Sequence, residues 1–343
     1  MRRIARPLAV IVLTGAAHGC GEKSPAPAAA PTPAPLPSPP PLPAPPVAPA
    51  PVVPAAPHGE VAPILRDLAD WDAATADERR AAVTGVLPLL GGFALARIET
   101  FSAGGATHEI GVFLQESTGL EFSLVPGGGF KLGSPPSEPG RSADETEQAV
   151  RLTSPFLISR TECTQAAWDR VRTANPSKNV GPELPVESVT CYEAESFCSK
   201  ARLALPTEAQ WEYACRAGTQ SRYATGDDPA SLAEFAWFDA PKGTTHPVGG
   251  RKPNAFGLVD VHGNVWEWCG EAYGPRVGGE VTNPVREPSP SDQRVVRGGS
   301  YSMGPAAVRS AFRYRAHPGD RQPGLGFRPV RPVEWPVVAK KPR

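Results

Sequence analysis

The sequence has little net charge, because 35 lysines and arginines balance 35 aspartates and glutamates among its 343 residues. No overall field therefore attracts the chain to nucleic acid or to an anionic membrane surface. Long apolar runs are absent, which excludes a multi-span membrane protein. Six cysteines are too few for a disulfide-packed miniprotein. The sequence also lacks a Gly-x-Ser-x-Gly elbow, a P-loop and a zinc-spaced cysteine set.

Proline, in contrast, is abundant and concentrated in one stretch. Of 43 prolines, 16 lie in residues 24–57, together with ten alanines and no charged residue. Because proline fixes φ and has no backbone N–H, this stretch cannot build a helix or a sheet. Residues 21–59 are therefore predicted to be a semi-rigid polyproline II linker of about 3.1 Å per residue. The alternative is a ligand for proline-binding modules, although the stretch has no flanking arginine.

Residues 1–20 are typical of an export signal. Arg2, Arg3 and Arg6 precede the apolar run Leu8–Leu13, which is too short to span a bilayer stably. The segment ends in Ala-His-Gly-Cys20, which resembles a bacterial lipoprotein cleavage site. That resemblance implies acylation of Cys20 and an exported, lipid-anchored location in the bacterial cell envelope, on the periplasmic or surface side. Cleavage nearby, with Cys20 left as a thiol, is the alternative.

Residues 60–117 are predicted to form a small region of helices and strands. Ile64, Leu65, Leu68 and Trp71 recur at helical spacing, and Thr75 with a glutamate three residues later is a capping-box signature. Residues 93–101 and 109–114 have the pattern of strands. Nothing in this region suggests chemistry, so a packing role is expected.

Residues 118–332 are rich in glycine, tryptophan and short, interrupted apolar runs. Long periodic helices are few. This pattern predicts a compact, loop-rich α+β domain rather than a layered α/β sheet. The remaining residues, 333–343, are expected to be a C-terminal tail.

Seven segments of this domain follow the order and spacing of the sulfatase-modifying-factor family. They are Val125–Gly128 with Leu132–Ser134, Arg160–Gln165 with Trp168, Leu184–Val189, Leu205–Gly218, Asn254–Trp268, Arg297–Tyr301 and Leu325–Arg328. The chain is identified as a member of this family, whose best-known member is the formylglycine-generating enzyme. The resemblance implies an irregular fold with low regular secondary structure, related to C-type lectins.

The resemblance also implies one calcium site. Its ligands would be Asp260, the backbone carbonyls of Gly263 and Val265, and Glu267. Calcium takes about six to eight oxygen ligands, and a tight turn with two carboxylates supplies several of them. The alternative is that Asp260 and Glu267 pair with arginines. A second family calcium site is not expected, because residues 234–248 are short and lack the required carboxylates.

Copper is not expected. The resemblance implies that the formylglycine-generating enzyme oxidises a substrate cysteine through two cysteines that follow Gly-Gly-Ser and bind Cu(I), which requires soft thiolates. Here Tyr301 is followed by Ser302 and Met303, and the last cysteine of the sequence is Cys269. Iron-dependent relatives use histidines, but the histidines here are scattered. No catalytic residue is therefore assigned.

The remaining cysteines suit an oxidising compartment. By resemblance, Cys198 and Cys215 match family positions that can form disulfides, but the partner positions are Pro329 and Ser310 here. Cys163 and Cys191 occupy places where relatives commonly have other residues, which suggests a disulfide between them. The alternative is that Cys163, Cys191, Cys198, Cys215 and Cys269 are all small buried apolar side chains.

Eight arginines and one acid, Asp320, lie between Arg294 and Arg331. They indicate either a groove for an acidic peptide or glycan or a structural role. The favoured interpretation is structural, with Arg309, Arg313, Arg315 and Arg328 pairing with acids earlier in the chain.

The sequence favours a monomeric binding module without oxidase activity. Its ligand groove is expected near Tyr301, Ser302 and Met303, where relatives hold their substrate. The expected ligand is a peptide, a protein or a glycan. Nucleic acid is not expected as a partner, and the membrane is expected only through the lipid at Cys20. The alternative is an oxidase that converts a peptide cysteine to formylglycine, or that performs a related thiol oxidation at a non-standard site.

Overall fold

A computed structural model of the protein describes residues 62–172, 174–240, 243–276 and 278–333. Cys20, the signal segment, the proline-rich linker and the tail after residue 333 lie outside the described residues. No helix in the described part is long and apolar enough to span a bilayer.

Helices and strands are both present in these residues. The α-helices are α1 (Leu68–Ala73), α2 (Ala76–Val86), α3 (Gln165–Val171), α4 (Cys191–Lys200) and α5 (Glu208–Arg216). Short 3-10 helices cover Pro63–Arg66, Leu87–Leu89, Pro229–Glu234 and Pro305–Ala307. The strands are β1 (Phe93–Ala103), β2 (Ala106–Gln115), β3 (Glu121–Val125), β4 (Gly128–Leu132), β5 (Gln148–Leu152), β6 (Phe156–Ser159), β7 (Trp266–Ala272), β8 (Glu280–Thr282), β9 (Arg294–Arg297), β10 (Tyr314–Ala316), β11 (Leu325–Gly326) and β12 (Val330–Pro332).

The strands form three small sheets. An antiparallel sheet has the order β1-β2-β3-β6-β12, a second has the order β10-β9-β7-β11, and a third has the order β4-β5-β8. The pairs β7–β11 and β5–β8 are parallel. Long loops connect these elements. The mixture of short helices and small sheets confirms the prediction of an α+β fold.

The N-terminal helices and strands extend the same sheet as the rest of the domain. The Thr75 backbone N–H donates to the Glu78 carboxylate over 2.7 Å, and Glu78 N–H donates back to Thr75 Oγ1, so the predicted capping box is formed. Strand β2 pairs with β3 in the register Val112–Ser123. Trp71 is fully buried and donates from Nε1 to the Glu109 carbonyl over 3.0 Å. Strands β1 and β2 therefore belong to one sheet with the strands that follow, and the Trp71 hydrogen bond holds α1 against β2.

Helix α5 places the motif Leu205–Gly218 inside the domain. Thr207 caps the helix by accepting a hydrogen bond from Gln210 N–H over 3.1 Å. Trp211 and Cys215, four residues apart, are both buried on one face, as their spacing predicts. The helix ends at Arg216, and its C-cap residue Ala217 has a left-handed φ of +46°.

Tryptophans anchor the core. Trp168 stacks on Phe197 with ring centroids 5.5 Å apart, and Trp268 is fully buried with its Nε1 donating to Val189 O over 3.0 Å. Trp266 is 8% exposed. Trp266 and Trp268, both in the family segment Asn254–Trp268, are therefore core residues.

Most arginines of the C-terminal stretch are structural. Arg309 pairs with Glu145 at 2.6 Å, and Arg313 pairs with Glu208 at 2.6 Å, with both partners almost fully buried in each case. Arg315 is different, because it is exposed and lies over the Tyr273 ring with its guanidinium carbon 5.0 Å from the centroid. The structural interpretation is thus confirmed for these buried arginines. Few arginines of this stretch are left to line a groove for an acidic ligand.

Candidate functional site

The turn at residues 260–264 has an unusual backbone. Asp260, Gly263 and Asn264 have φ values of +62°, +114° and +51°. Gly263 N–H donates to Gly298 O over 2.9 Å, and Asn264 N–H donates to Trp237 O over 2.8 Å. These bonds hold the turn against two other segments of the chain.

The two carboxylates of the predicted calcium site have different surroundings. Glu267 is fully buried, pairs with Arg328 at 2.9 Å and accepts a hydrogen bond from Trp211 Nε1 at 2.7 Å. Asp260 is 1% exposed, and within the described ranges its carboxylate accepts a hydrogen bond from Gly249 N–H, at 2.8 Å on Oδ2. Its Oδ1 has no hydrogen-bond partner in the described part of the chain. The alternative prediction, in which these carboxylates pair with arginines, therefore holds for Glu267 but not, within the described residues, for Asp260.

A third carboxylate, Glu162, lies beside these two. It is fully buried, and neither of its carboxylate oxygens has a hydrogen-bond partner among the described residues. Burial and the nearby Asp260 raise the pKa of Glu162 well above its usual value. Burial likewise raises the pKa of Asp260 to about 6. Sequence reasoning missed Glu162, although this charged residue lies within the family segment Arg160–Gln165.

The unpartnered oxygens fit a hard cation. Buried carboxylate oxygens normally have partners, and calcium binds such oxygens together with backbone carbonyls. The described residues contain no group of three or more His, Cys, Asp or Glu side chains placed to hold a metal. Side chains alone would therefore not be enough to hold a calcium ion here, and backbone carbonyls would have to contribute. The ligands would be Asp260, the carbonyls of Gly263 and Val265, and either Glu162 or Glu267 as the further carboxylate.

The predicted ligand-groove residues lie on a loop joined to this turn. We call residues 300–310 the Tyr301 loop. Tyr301 N–H donates to Asn264 O over 2.9 Å, and Tyr301 O accepts from Ala240 N–H over 2.9 Å. Met303 O accepts from Asp239 N–H over 2.8 Å. The structure thus brings Tyr301, Ser302 and Met303 together, all half-buried, on a loop whose position depends on the 260–264 turn.

An aromatic group lies next to this loop and was not found from the sequence. The Trp266 ring is 5.2 Å from Tyr314 and 6.0 Å from Phe312, measured between centroids. Tyr314 is 43% exposed. Trp266 N–H donates to Gly324 O, and a Cβ on Gly324 would lie 3.3 Å from the Tyr301 ring. Trp266 and Tyr301 therefore flank the same glycine, which a sequence pattern does not reveal.

The predicted disulfide between Cys163 and Cys191 is wrong for this structure. Both are free thiols, as are the other described cysteines. Cys191 begins α4 and its Sγ lies 3.7 Å from Glu195 Oε1, whereas Cys163 Sγ lies 3.7 Å from Thr164 O. Burial raises the pKa of both thiols. The alternative of small buried apolar side chains describes them instead.

One thiol contacts the end of the Tyr301 loop. Cys215 Sγ lies 3.7 Å from Ser310 Oγ and 3.7 Å from His262 Nε2. His262 accepts from Ala224 N–H at Nε2 and donates from Nδ1 to Val308 O, and burial lowers its pKa to about 4, so the ring is neutral. Burial raises the pKa of Cys215 to about 12. The thiol is therefore protonated at neutral pH.

Together, the fold and this site define a domain of the kind found in formylglycine-generating enzymes. The family model described as the sulfatase-modifying factor enzyme 1-like domain matches residues 112–333, and the chain belongs to that family. The match begins within β2 and ends directly after β12, which confirms the family predicted from the motifs.

Named relatives within the family differ in activity. The chain is 30% identical over 268 residues to the hercynine oxygenase of Mycolicibacterium smegmatis, a match that covers 62% of this chain and 61% of the relative. It is 36% identical over 165 residues to the formylglycine-generating enzyme of Bos taurus, covering 43% and 44%. It is 36% identical over 155 residues to the serine/threonine-protein kinase pkn1 of Chlamydia caviae, covering 44% and 24%. The chain thus spans about a quarter to three fifths of these curated relatives.

Two solved structures match most of the domain. PvdO from Pseudomonas aeruginosa has a TM-score of 0.57 and 28% identity, over 65% of this chain and 98% of that one. Variable protein 1 of Treponema denticola has a TM-score of 0.55 and 26% identity, over 68% and 98%. Both are close in length to the domain alone.

Proposed function

We propose that this protein is a binding member of its family, which holds a peptide, protein or glycan ligand at the Tyr301 loop and does not oxidise a cysteine. The observation that carries the proposal is the chemistry of this loop. Residues 300–310 contain Ser302 and Met303 but no cysteine. A single thioether does not replace the two thiolates that Cu(I) requires.

The thiols elsewhere in the described chain support the same conclusion. Cys215 is the thiol that contacts the loop, and it is fully buried, protonated and adjacent to a neutral histidine. A reactive thiol requires a lowered pKa and access to solvent. One buried thiol with a raised pKa meets neither requirement.

A calcium ion at the 260–264 turn is the second part of the proposal. Asn264 accepts from Tyr301 N–H through its backbone and from His246 N–H through Oδ1, at 2.9 and 3.0 Å. The turn that would hold calcium thus also holds the loop that would bind the ligand. The ion would neutralise Asp260 and Glu162 and fix the Tyr301 loop in place.

The location of the protein is proposed from its first 57 residues. An export signal, an acylated Cys20 and a proline-rich linker would hold the domain at the cell envelope, away from the membrane surface. Metabolic labelling with a radioactive fatty acid tests this. Label in the wild type and none in Cys20→Ser is expected, whereas an unlabelled wild type contradicts acylation.

An activity assay separates the binding module from the oxidase. The substrate is a Cys-x-Pro-x-Arg peptide, incubated with the full-length protein with and without copper, and the aldehyde product is measured by mass spectrometry. We expect no product above a heat-killed control. Turnover above that control would overturn the proposal and favour the oxidase that the Bos taurus relative represents.

Binding is tested with defined peptide and glycan arrays as probes. Tyr301→Ala is expected to weaken each interaction found with the wild type by at least about tenfold, since it removes a large aromatic side chain from the loop. Leu114→Ala is the matched control, because Leu114 is 39% exposed on β2. An array without any binder, or equal effects of both variants, contradicts the proposed role of the loop.

A further inference from the structure

Strand β10 forms one edge of the sheet β10-β9-β7-β11. Its three residues, Tyr314–Ala316, pair with β9 without a bulge. Beyond that pairing, their backbone N–H and C=O groups have no hydrogen-bond partner in the described ranges. Tyr314 is 43% exposed, and Arg315 is also exposed. The outer side of β10 is therefore open to a further strand.

Other sheet edges have protection that β10 lacks. Strand β1 has a bulge between Leu95 and Arg97, and Arg97 pairs there with Glu99 at 2.8 Å. Strand β12 contains Pro332, which cannot donate a backbone hydrogen bond. Bulges, charged side chains and prolines are the usual means by which proteins prevent pairing at a sheet edge. Strand β10 has neither a bulge nor a proline, so its edge is less protected than those of β1 and β12.

The two faces of β10 differ in chemistry. On one face the Tyr314 ring lies 5.2 Å from the Trp266 ring, which also contacts Phe312. On the other face the Arg315 guanidinium carbon lies 5.0 Å from the centroid of the Tyr273 ring. Successive side chains of a strand point to opposite faces of its sheet. A strand added beside β10 would therefore place alternate side chains against an aromatic surface and against a basic one.

The charge of Arg315 decides which strand fits this edge. Arg315 contacts Tyr273, and among the described residues no carboxylate pairs with it. Two copies of this protein paired antiparallel about Arg315 would place the two guanidinium groups directly opposite each other, which is destabilising. A strand with an acidic residue opposite Arg315 would instead gain an ion pair. Apolar residues on either side of that acid would then face Tyr314 and Ala316.

We propose that the outer edge of β10 binds an extended peptide as an added strand, with an acidic residue opposite Arg315 and an apolar residue opposite Tyr314. Backbone hydrogen bonds supply the affinity, and the alternate side chains supply the specificity. The edge adjoins the Tyr301 loop through Trp266, whose backbone N–H donates to Gly324 O beside the Tyr301 ring. The proposal rests on the function proposed for that loop, because it narrows the ligand there from a peptide, protein or glycan to an extended peptide.

Calorimetry with the full-length protein and synthetic heptapeptides tests the proposal. The probes are four peptides of the form Thr-Thr-x-Glu-x-Thr-Thr, blocked at both ends, in which both x residues are Val, Ile, Phe or Tyr. Matched peptides carry Lys in place of Glu. We expect at least one Glu peptide to bind, and its Lys counterpart to bind at least about fivefold more weakly, because like charges repel across a strand pair. No binding of any Glu peptide, or equal binding of the two forms, overturns the proposal.

Methylation of peptide nitrogens tests the strand pairing itself. In a strand pair only every second residue points its N–H towards the neighbouring strand. One modified peptide carries a methyl group on the Glu nitrogen, and another carries methyl groups on both x nitrogens. We expect one of the two to lose at least about tenfold in affinity, since its hydrogen bonds to β10 are blocked, and the other to bind more tightly than that. Equal effects of the two modifications contradict strand addition.

A charge reversal assigns the binding to β10. Arg315→Glu should invert the preference, so that Lys peptides bind more tightly than Glu peptides, because the charge opposite the central peptide residue is reversed. Arg80→Glu is the matched control, since it makes the same change of charge at an exposed residue of α2. It should leave the preference for Glu peptides unchanged. An unchanged preference in Arg315→Glu contradicts the assignment.

This proposal and the function proposed for the Tyr301 loop can fail separately. A glycan or peptide from the arrays whose binding needs Tyr301 but is insensitive to Arg315→Glu would leave the function of the loop in place and overturn the β10 site. Peptide binding that Arg315→Glu inverts, and that Tyr301→Ala leaves unchanged, would support the β10 site and contradict the role of the loop.

Discussion

Arg328 and Glu267 form an ion pair at 2.9 Å in which both side chains are fully buried. Arg328 also donates to the backbone carbonyls of Ser159 at 3.0 Å and Val259 at 2.8 Å. The pair thus joins β7 to the end of β6 and to the chain just before the 260–264 turn. The carboxylate next to the proposed calcium site is therefore positioned by an arginine 61 residues further along the chain.

Replacing Arg328 should strongly destabilise the fold. Arg328→Ala leaves Glu267 buried without its counter-charge, and breaking a buried pair in this way costs about 3–5 kcal/mol. Urea unfolding followed by tryptophan fluorescence measures the loss. Arg315→Ala is the control, because Arg315 is exposed and its removal should cost about 0.5 kcal/mol or less. Equal losses for the two variants would contradict the structural role of the buried pair.

Gly263 should tolerate no side chain. A Cβ at this position would lie 2.0 Å from Trp237 O, and its φ of +114° is unfavourable for other residues. Gly263→Ala is expected to lower the melting temperature, with a loss of about 2 kcal/mol or more. Gly278→Ala is the matched control, because a Cβ there has no neighbour within 4 Å. A Gly263→Ala protein that melts with the wild type would contradict the tight turn.

Calcium should raise the stability of the domain. After mild dialysis we expect about one equivalent of bound calcium, and chelation should lower the melting temperature, since a ligand at a hundred times its Kd stabilises by about 2.7 kcal/mol. Asp260→Asn together with Glu162→Gln should abolish this dependence. Less than about half an equivalent of calcium, with no change in melting on chelation, would reject the site.

Glu271 should make stability depend on pH in a defined direction. Its pKa rises from an ordinary 4.5 to about 8 in the folded protein, so the folded state keeps a proton that the unfolded state has lost. The contribution is complete below pH 4.5 and is lost as the pH rises towards about 8, with a slope of up to about 1.4 kcal/mol per pH unit. Urea unfolding between these values should show a smaller fall for Glu271→Gln than for the wild type. Parallel curves would contradict the raised pKa.

The described cysteines should react only after unfolding. All five are buried free thiols. A thiol reagent should therefore label none of them quickly in the native protein, and should label all five in denaturant without prior reduction. Mass spectrometry of peptides counts the labels. A linked pair of peptides containing Cys163 and Cys191 would restore the disulfide that the sequence suggested.

Local patterns predicted a large part of the fold. Thr75 and Glu78 form a contact between residues three apart, so the sequence alone contains the information. Strands β1 and β2 follow from local apolar patterns, and the family follows from seven ordered motifs. The sequence also identified Tyr301, Ser302 and Met303 as neighbours, because they are consecutive.

What the sequence determined by itself is the family, the α+β class and the absence of cysteine from the Tyr301 loop. Only the tertiary structure decided which charges find partners. Glu267 pairs with Arg328, whereas among the described residues Asp260 Oδ1 has no hydrogen-bond partner. Glu162, about a hundred residues earlier in the sequence, lies beside these two carboxylates. Cys163 and Cys191 do not form a disulfide. The reason is physical: whether a buried polar group is satisfied depends on long-range packing, which no local spacing encodes.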